Sequence, residues 1–180
     1  MRTARSIAIG AVAALLVAGA ATWFATRSDT PKQSTVARFT SQGVTVTITV
    51  KDHVASHATI VATFTPQKPG FHLYSADLPA NGIQGVGRPI KVVPQGKLHG
   101  TGPLTADAKV LTLPLAGTDL TLPVYPDGPV TAELPVALDG DGAATLLVSY
   151  AACSSNDCLP PVTDHPIDLE VNASRITERA

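Results

Sequence analysis

The chain is poor in the residues that most chemistries need. Its 180 residues include only two cysteines and one methionine, and that methionine is the initiator, so a methionine-rich copper site is excluded. Five histidines are scattered, with no His-x-His spacing and no Cys-x-x-Cys, so neither a metal nor a cofactor is expected. Cys153 and Cys158 together with His72 or His165 would leave even a closed four-ligand zinc site without a spacing signature. No Gly-x-Ser-x-Gly is present, which sets aside the common hydrolase elbow. Basic runs are also missing. After residue 27 the chain holds ten Lys or Arg against fourteen Asp or Glu, a formal net of −4 that phosphate would repel, so nucleic acid is not a partner. No segment after residue 27 has a helical period.

What is present begins with a leader. Arg2 and Arg5 precede an uncharged apolar run from Ile7 to Ala25, closed by Trp23, Phe24 and Arg27. The run reaches the roughly 20 residues that span a bilayer. Both a cleaved signal with a site such as Ala18-Gly19-Ala20 and an uncleaved anchor through residues 7–25 are open readings. Either one places the rest of the chain outside the cytoplasm, in the periplasm or on the outer face of the membrane, where a disulfide can form and persist.

Residues 28–42 are polar and read as a tether; the domain is expected over 43–172, with a tail at 173–180. Val44, Val46, Ile48 and Val50 alternate strictly with threonines, the pattern of a half-buried strand. Ala58 to Thr65 repeats it. Further strands are predicted at 71–75, 90–93, 109–113, 120–124, 130–138, 144–151 and 166–171, punctuated by Gly, Pro and Asp. Strands of this number and spacing point to an all-β chain, an immunoglobulin-like β-sandwich, preceded by the signal or anchor helix.

The two cysteines lie in Tyr150-Ala-Ala-Cys153-Ser-Ser-Asn-Asp-Cys158-Leu-Pro-Pro161. Cys153 falls at the end of the penultimate strand, and Ser154 to Asp157 is turn chemistry. Facing positions across such a connection lie roughly 4.5–5.5 Å apart at Cα, within the range a disulfide accepts. As a staple the bond is poorly placed, because so short a loop is worth only about 2 kcal/mol in the chain-entropy picture. Pro160 and Pro161 lack amide hydrogens and keep the following chain out of a central strand, which leaves the sulfurs near the surface, as thiol exchange requires. The sequence-local charge is acidic. Asp157 and Asp164 flank the pair, and no Lys or Arg falls between Lys109 and Arg175, so the pair reads as a disulfide that receives attack rather than a self-activated nucleophile. His72 reads as a satisfied strand histidine, and Tyr150 and Phe64 as core.

These residues resemble the N-terminal periplasmic domain of the DsbD thiol:disulfide interchange proteins. The resemblance rests on Tyr150-Ala-Ala-Cys153, Cys158-Leu-Pro-Pro161 and Ile167 to Val171, with Gly70-Phe-His-Leu-Tyr74, Gly82, Gly87 and Pro89 upstream. It implies an immunoglobulin-like domain that works in thiol-disulfide oxidoreduction, taking electrons from a thioredoxin-like domain and passing them to other thioredoxin-fold proteins. Cys158 would form the intermolecular bond and Cys153 would resolve it. The stretch Val124-Tyr125-Pro126 matches the family's cap, with Tyr125 as the expected shield. The chain departs from the pattern in having four residues between the cysteines where five are expected, and Val124 where a Phe often stands. It also carries neither the membrane domain nor the thioredoxin domain of the full-length proteins, so a thioredoxin-like protein or membrane electron carrier on a separate chain is the expected donor. An exported binding or assembly domain with an inert disulfide is the competing reading.

Overall fold

The computed structural model describes residues 34–115 and 117–179. The leader over 1–27 and the membrane attachment through 7–25 lie outside these residues. The described residues form strands without any helix: β1 (Ser34–Ser41), β2 (Val44–Val54), β3 (His57–Pro66), β4 (His72–Leu73), β5 (Lys91–Gly96), β6 (Leu98–Gly100) and β7 (Thr105–Ala106) lead into β8 (Leu111–Pro114), β9 (Thr121–Val124), β10 (Val130–Leu138), β11 (Gly142–Tyr150), β12 (Ala152–Cys153), β13 (Val162–Asn172) and β14 (Arg175–Glu178).

One sheet runs β1-β2-β3-β10-β6, with β7 also on β10, and the other runs β14-β13-β11-β5. Their inner faces meet in one core. Val46, Ile48, Ile60, Phe64, Ala132 and Val136 from the first sheet pack with Leu146, Val148, Tyr150, Ile167, Leu169 and Val171 from the second. The alternation of β2 therefore carries through: Val44, Val46, Ile48 and Val50 are buried while Thr47 and Thr49 stay half-buried. Phe64 and Tyr150 stand edge to face with ring centroids 5.7 Å apart. The Tyr150 hydroxyl donates to the Ser41 carbonyl at 2.9 Å, tying β11 to the end of β1. Burial pushes that phenol up to about 12. This all-β, two-sheet architecture is consistent with the expected immunoglobulin-like sandwich.

The ends of the domain differ from expectation. Part of the stretch read as a tether is β1, paired antiparallel with β2 from Ser34 opposite Val50 to Ser41 opposite Val44. The connection turns on Gln42 and Gly43, both at positive φ, the backbone of a tight two-residue hairpin. Residues 173–180 are likewise not a plain tail, since β14 pairs with β13 and buries Ile176. Both strands are polar on one face and bury little on the other, so hydrophobic periodicity does not reveal them.

Candidate functional site

The site is built where β11 leaves its sheet. A register irregularity between Val148 and Tyr150 ends the regular pairing of β11 with β13. Ala151 N–H donates to the Arg88 carbonyl at 3.2 Å. The next two residues, β12, pair with β4 instead, Ala152 opposite Leu73 and Cys153 opposite His72. Leu73 faces the main core, leaving the alternate residues His72 and Tyr74 on the side of Cys153.

The connection after Cys153 is closed by its own polar groups. Ser154 N–H donates to the Asp157 carbonyl at 2.7 Å, and Ser154 Oγ accepts from the amides of Asn156 and Asp157. Leu159 N–H returns to the Ala152 carbonyl at 2.9 Å. Cys153 and Cys158 face each other in an antiparallel bridge and form a disulfide, with Cα atoms 4.1 Å apart. Pro160 and Pro161 lie outside any strand, and β13 starts only at Val162.

The two cysteines differ in access. Cys153 is 5% exposed, whereas Cys158 is an exposed residue. Cys153 belongs to a small apolar cluster with Tyr74, Leu78, Ala151, Leu122 and Val124, separate from the main core. The Tyr74 hydroxyl lies 3.1 Å from Cys153 Sγ. A disulfide sulfur has no hydrogen, so the phenol is the donor. Burial raises its pKa and keeps it protonated. Gly87 makes room for this ring: it sits at φ +85°, and a Cβ there would lie 2.8 Å from both Cδ1 and Cε1 of Tyr74.

Beside the disulfide is a cavity of about 300 Å³ lined by both cysteines, Tyr74, Val86, Leu159, Pro161 and Arg88 among others. Arg88, distant in sequence, is among the residues lining this cavity, with one guanidinium nitrogen donating to the Ala80 carbonyl. Asp164 is occupied elsewhere, accepting from Ser149 Oγ at 3.1 Å.

The two residues expected as a cap go to different places. Val124, at the end of β9, joins the cluster around Cys153 and forms a bridge with Tyr74. Tyr125 does not take the shielding position. It is buried in the main core, its hydroxyl accepts from Ala76 N–H at 3.1 Å, and it does not line the cavity at the disulfide. The chain's alternation turns Tyr125 inward once Val124 faces the sulfurs. The aromatic beside the sulfur is Tyr74, and the second aliphatic cover is Leu122. Gly70-Phe-His-Leu-Tyr74 flags the strand that carries Tyr74, but only the β4–β12 pairing reveals its contact.

His72 is also not the satisfied histidine expected. Its Nδ1 lies 3.6 Å from Asp127 Oδ1, while Nε2 is buried without a hydrogen-bond partner. Burial lowers its pKa, and Asp127 opposes the shift.

No family model matches the chain, and no curated protein does. Solved structures similar to it include the reduced N-terminal domain of Neisseria meningitidis DsbD, with a TM-score of 0.41 and 14% identity over 71% of this chain and 86% of that one. The KRT10-binding region domain of the pneumococcal serine-rich repeat protein PsrP is also similar, with a TM-score of 0.36 and 10% identity over 74% of this chain and 98% of that one.

Proposed function

We propose that the domain is an extracytoplasmic thiol-disulfide exchange module that passes reducing equivalents between thioredoxin-fold partners through Cys153 and Cys158. The observation that carries the reading is the asymmetry of the pair: an exposed Cys158 bonded to a buried Cys153 whose sulfur accepts a hydrogen bond from Tyr74. Exchange needs one sulfur that an incoming thiolate can reach and one that leaves well.

In the receiving direction a partner thiolate attacks Cys158 Sγ. The Cys153–Cys158 bond breaks, and its electron pair leaves on Cys153, where the Tyr74 hydroxyl is already placed to donate. The partner's second thiolate then attacks its own sulfur in the mixed disulfide and releases Cys158, leaving the partner oxidised and this domain a dithiol. Delivery reverses the sequence: Cys158 thiolate attacks the acceptor's disulfide, and Cys153 thiolate attacks Cys158 Sγ, closing the bond and releasing the reduced acceptor. Two electrons pass in each cycle, and solvent supplies or accepts the accompanying protons. Leu122 and Val124 cover Cys153 and leave Cys158 as the point of entry. The N-terminal basic and apolar leader supports an exported or membrane-anchored location.

Trapping tests this. Cys153→Ser should accumulate a mixed disulfide between Cys158 and a thioredoxin-like protein, and Cys158→Ser should accumulate none. The wild-type couple should equilibrate between roughly −270 and −180 mV, the range of working exchange proteins. The burial of Cys153 favours a second reading, an inert bond in an exported binding domain. That reading predicts a potential below about −300 mV and equal destabilisation by either substitution.

A further inference from the structure

His72 is buried, 7% exposed, and is the direct cross-strand partner of Cys153 in the β4–β12 ladder. Opposed residues of an antiparallel pair hold their Cβ atoms roughly 4.5–5.5 Å apart on one face, within reach of an imidazole. The ring stands edge to face on Tyr74, centroids 5.9 Å apart, and the Tyr74 hydroxyl is on the Cys153 sulfur. The titratable groups about His72 are Tyr74 just past its own strand, Cys153 opposite it in the ladder, and Tyr125 and Asp127 after β9, while Leu111, Thr112 and Leu113 of β8 and Val124 of β9 border it without charge. Tyr125 has its hydroxyl occupied by Ala76, so Asp127 is the one charge among them. A buried polar atom without a partner costs free energy, and His72 Nε2 is such an atom while the disulfide is closed. The closed disulfide offers it neither charge nor proton.

Resting on the exchange reading, we propose that His72 is a positioning residue that takes up a proton when the disulfide opens and so holds Cys153 as a thiolate. As the partner's thiolate bonds to Cys158 Sγ, the electron pair of the broken bond settles on Cys153 Sγ, and His72 becomes imidazolium by taking one proton from solvent. The thiolate then faces a cation anchored from behind by Asp127. When Cys153 attacks Cys158 Sγ and the partner departs as a thiolate, the anion opposite His72 disappears and the proton returns to solvent. Desolvation keeps the ring neutral in the oxidised state, and the new anion adds to Asp127 in favouring its charged form. The outcome is a resolving cysteine that is ionised at a pH where a buried thiol otherwise is not.

The test uses the full chain carrying Cys158→Ser, in which Cys153 is the sole thiol, followed by ultraviolet thiolate absorbance against pH. With His72 present, Cys153 should ionise about one pH unit or more below its value in the double variant with His72→Asn, which keeps a polar side chain of similar size. Coincident titrations overturn the inference. A second readout needs no substitution: the His72 ring, followed by NMR in the wild-type chain, should titrate at higher pH in the reduced protein than in the oxidised one, and an equal or lower value also overturns it. If Cys153→Ser still traps a partner while these titrations coincide, exchange stands and the role of His72 falls. If no thioredoxin-like protein reduces the wild-type disulfide, exchange falls, and the titrations still decide whether His72 holds the proton.

Discussion

Tyr74 is where single-residue chemistry acts most directly on the sulfur pair. Its hydroxyl donates to Cys153 Sγ in the closed state and would donate more strongly to the thiolate, because a hydrogen bond to a charged acceptor is worth about 1.5–3 kcal/mol against about 1 for a neutral one. Tyr74→Phe removes that preference for the reduced form while keeping the ring that packs on Gly87. With Cys153 ionised, the potential should therefore fall by roughly 10–40 mV, taking about 30 mV per 1.4 kcal/mol for a two-electron couple. Equilibration against glutathione buffers measures it, and an unchanged potential would mean that the phenol does not distinguish the two states. Arg88 is the other residue whose role depends on placement. Sequence neighbours of the pair are acidic, yet the folded chain brings Arg88, just ahead of β5, to the lining of the cavity at the sulfurs, its carbonyl accepting from Ala151 N–H and its guanidinium donating to the Ala80 carbonyl.

At the scale of elements, β9 is the cover. Leu122 and Val124 point the same way along the strand and pack with Tyr74, Ala151 and Cys153, while Leu111 and Leu113 of the paired β8 stay exposed. Leu122→Ala should cost about 2–5 kcal/mol if the cluster does not collapse around the gap. Dithiothreitol should still reduce the bond at close to the wild-type rate, because the thiolate enters at the exposed Cys158 and Leu122 covers Cys153. Stopped-flow reduction under native conditions reads this, and a faster rate would show that access also runs through Cys153. Much of this element pattern is legible in the sequence. Alternation marks β2, β3 and β10, and the cysteine-proline motif marks the end of β11 and the break before β13. The pairing of β12 with β4 is not legible, because each is two residues long and nothing local couples residues 72–73 to 152–153. That same pairing sets His72 against Cys153 and turns Tyr74 toward the sulfur. The expected role of Tyr125 fails for a related reason: matching a motif by order does not fix its phase, and one residue along a strand exchanges core for cover.

For the whole molecule, the decisive difference is where the sandwich closes. β1 and β14 flank the same side of the two sheets and touch each other, so they seal the core where the edges of β2 and β13 would otherwise lie open. Neither has the apolar stripe that marks a strand in sequence: Ala37 and Ile176 are the fully buried apolar residues of each. Their contribution is backbone pairing, edge cover, and the Ser41 carbonyl that accepts from Tyr150. A chain limited to residues 43–172, the domain as read from periodicity, loses all three. It exposes two unpaired edges, an invitation to intermolecular strand pairing, and leaves the Tyr150 hydroxyl buried beneath a missing acceptor, at about 1–3 kcal/mol. Residues 34–179 should unfold cooperatively in urea and elute as a single species. Residues 43–172 should unfold at a lower midpoint and associate with rising concentration, as followed by size-exclusion chromatography. Equal midpoints would mean that the core between β2, β3, β10, β11 and β13 suffices and that both outer strands are dispensable. The disulfide lies at the far end of β11 from the β13–β14 turn, so residues 34–172, which lose β14 alone, should keep the reduction potential of residues 34–179.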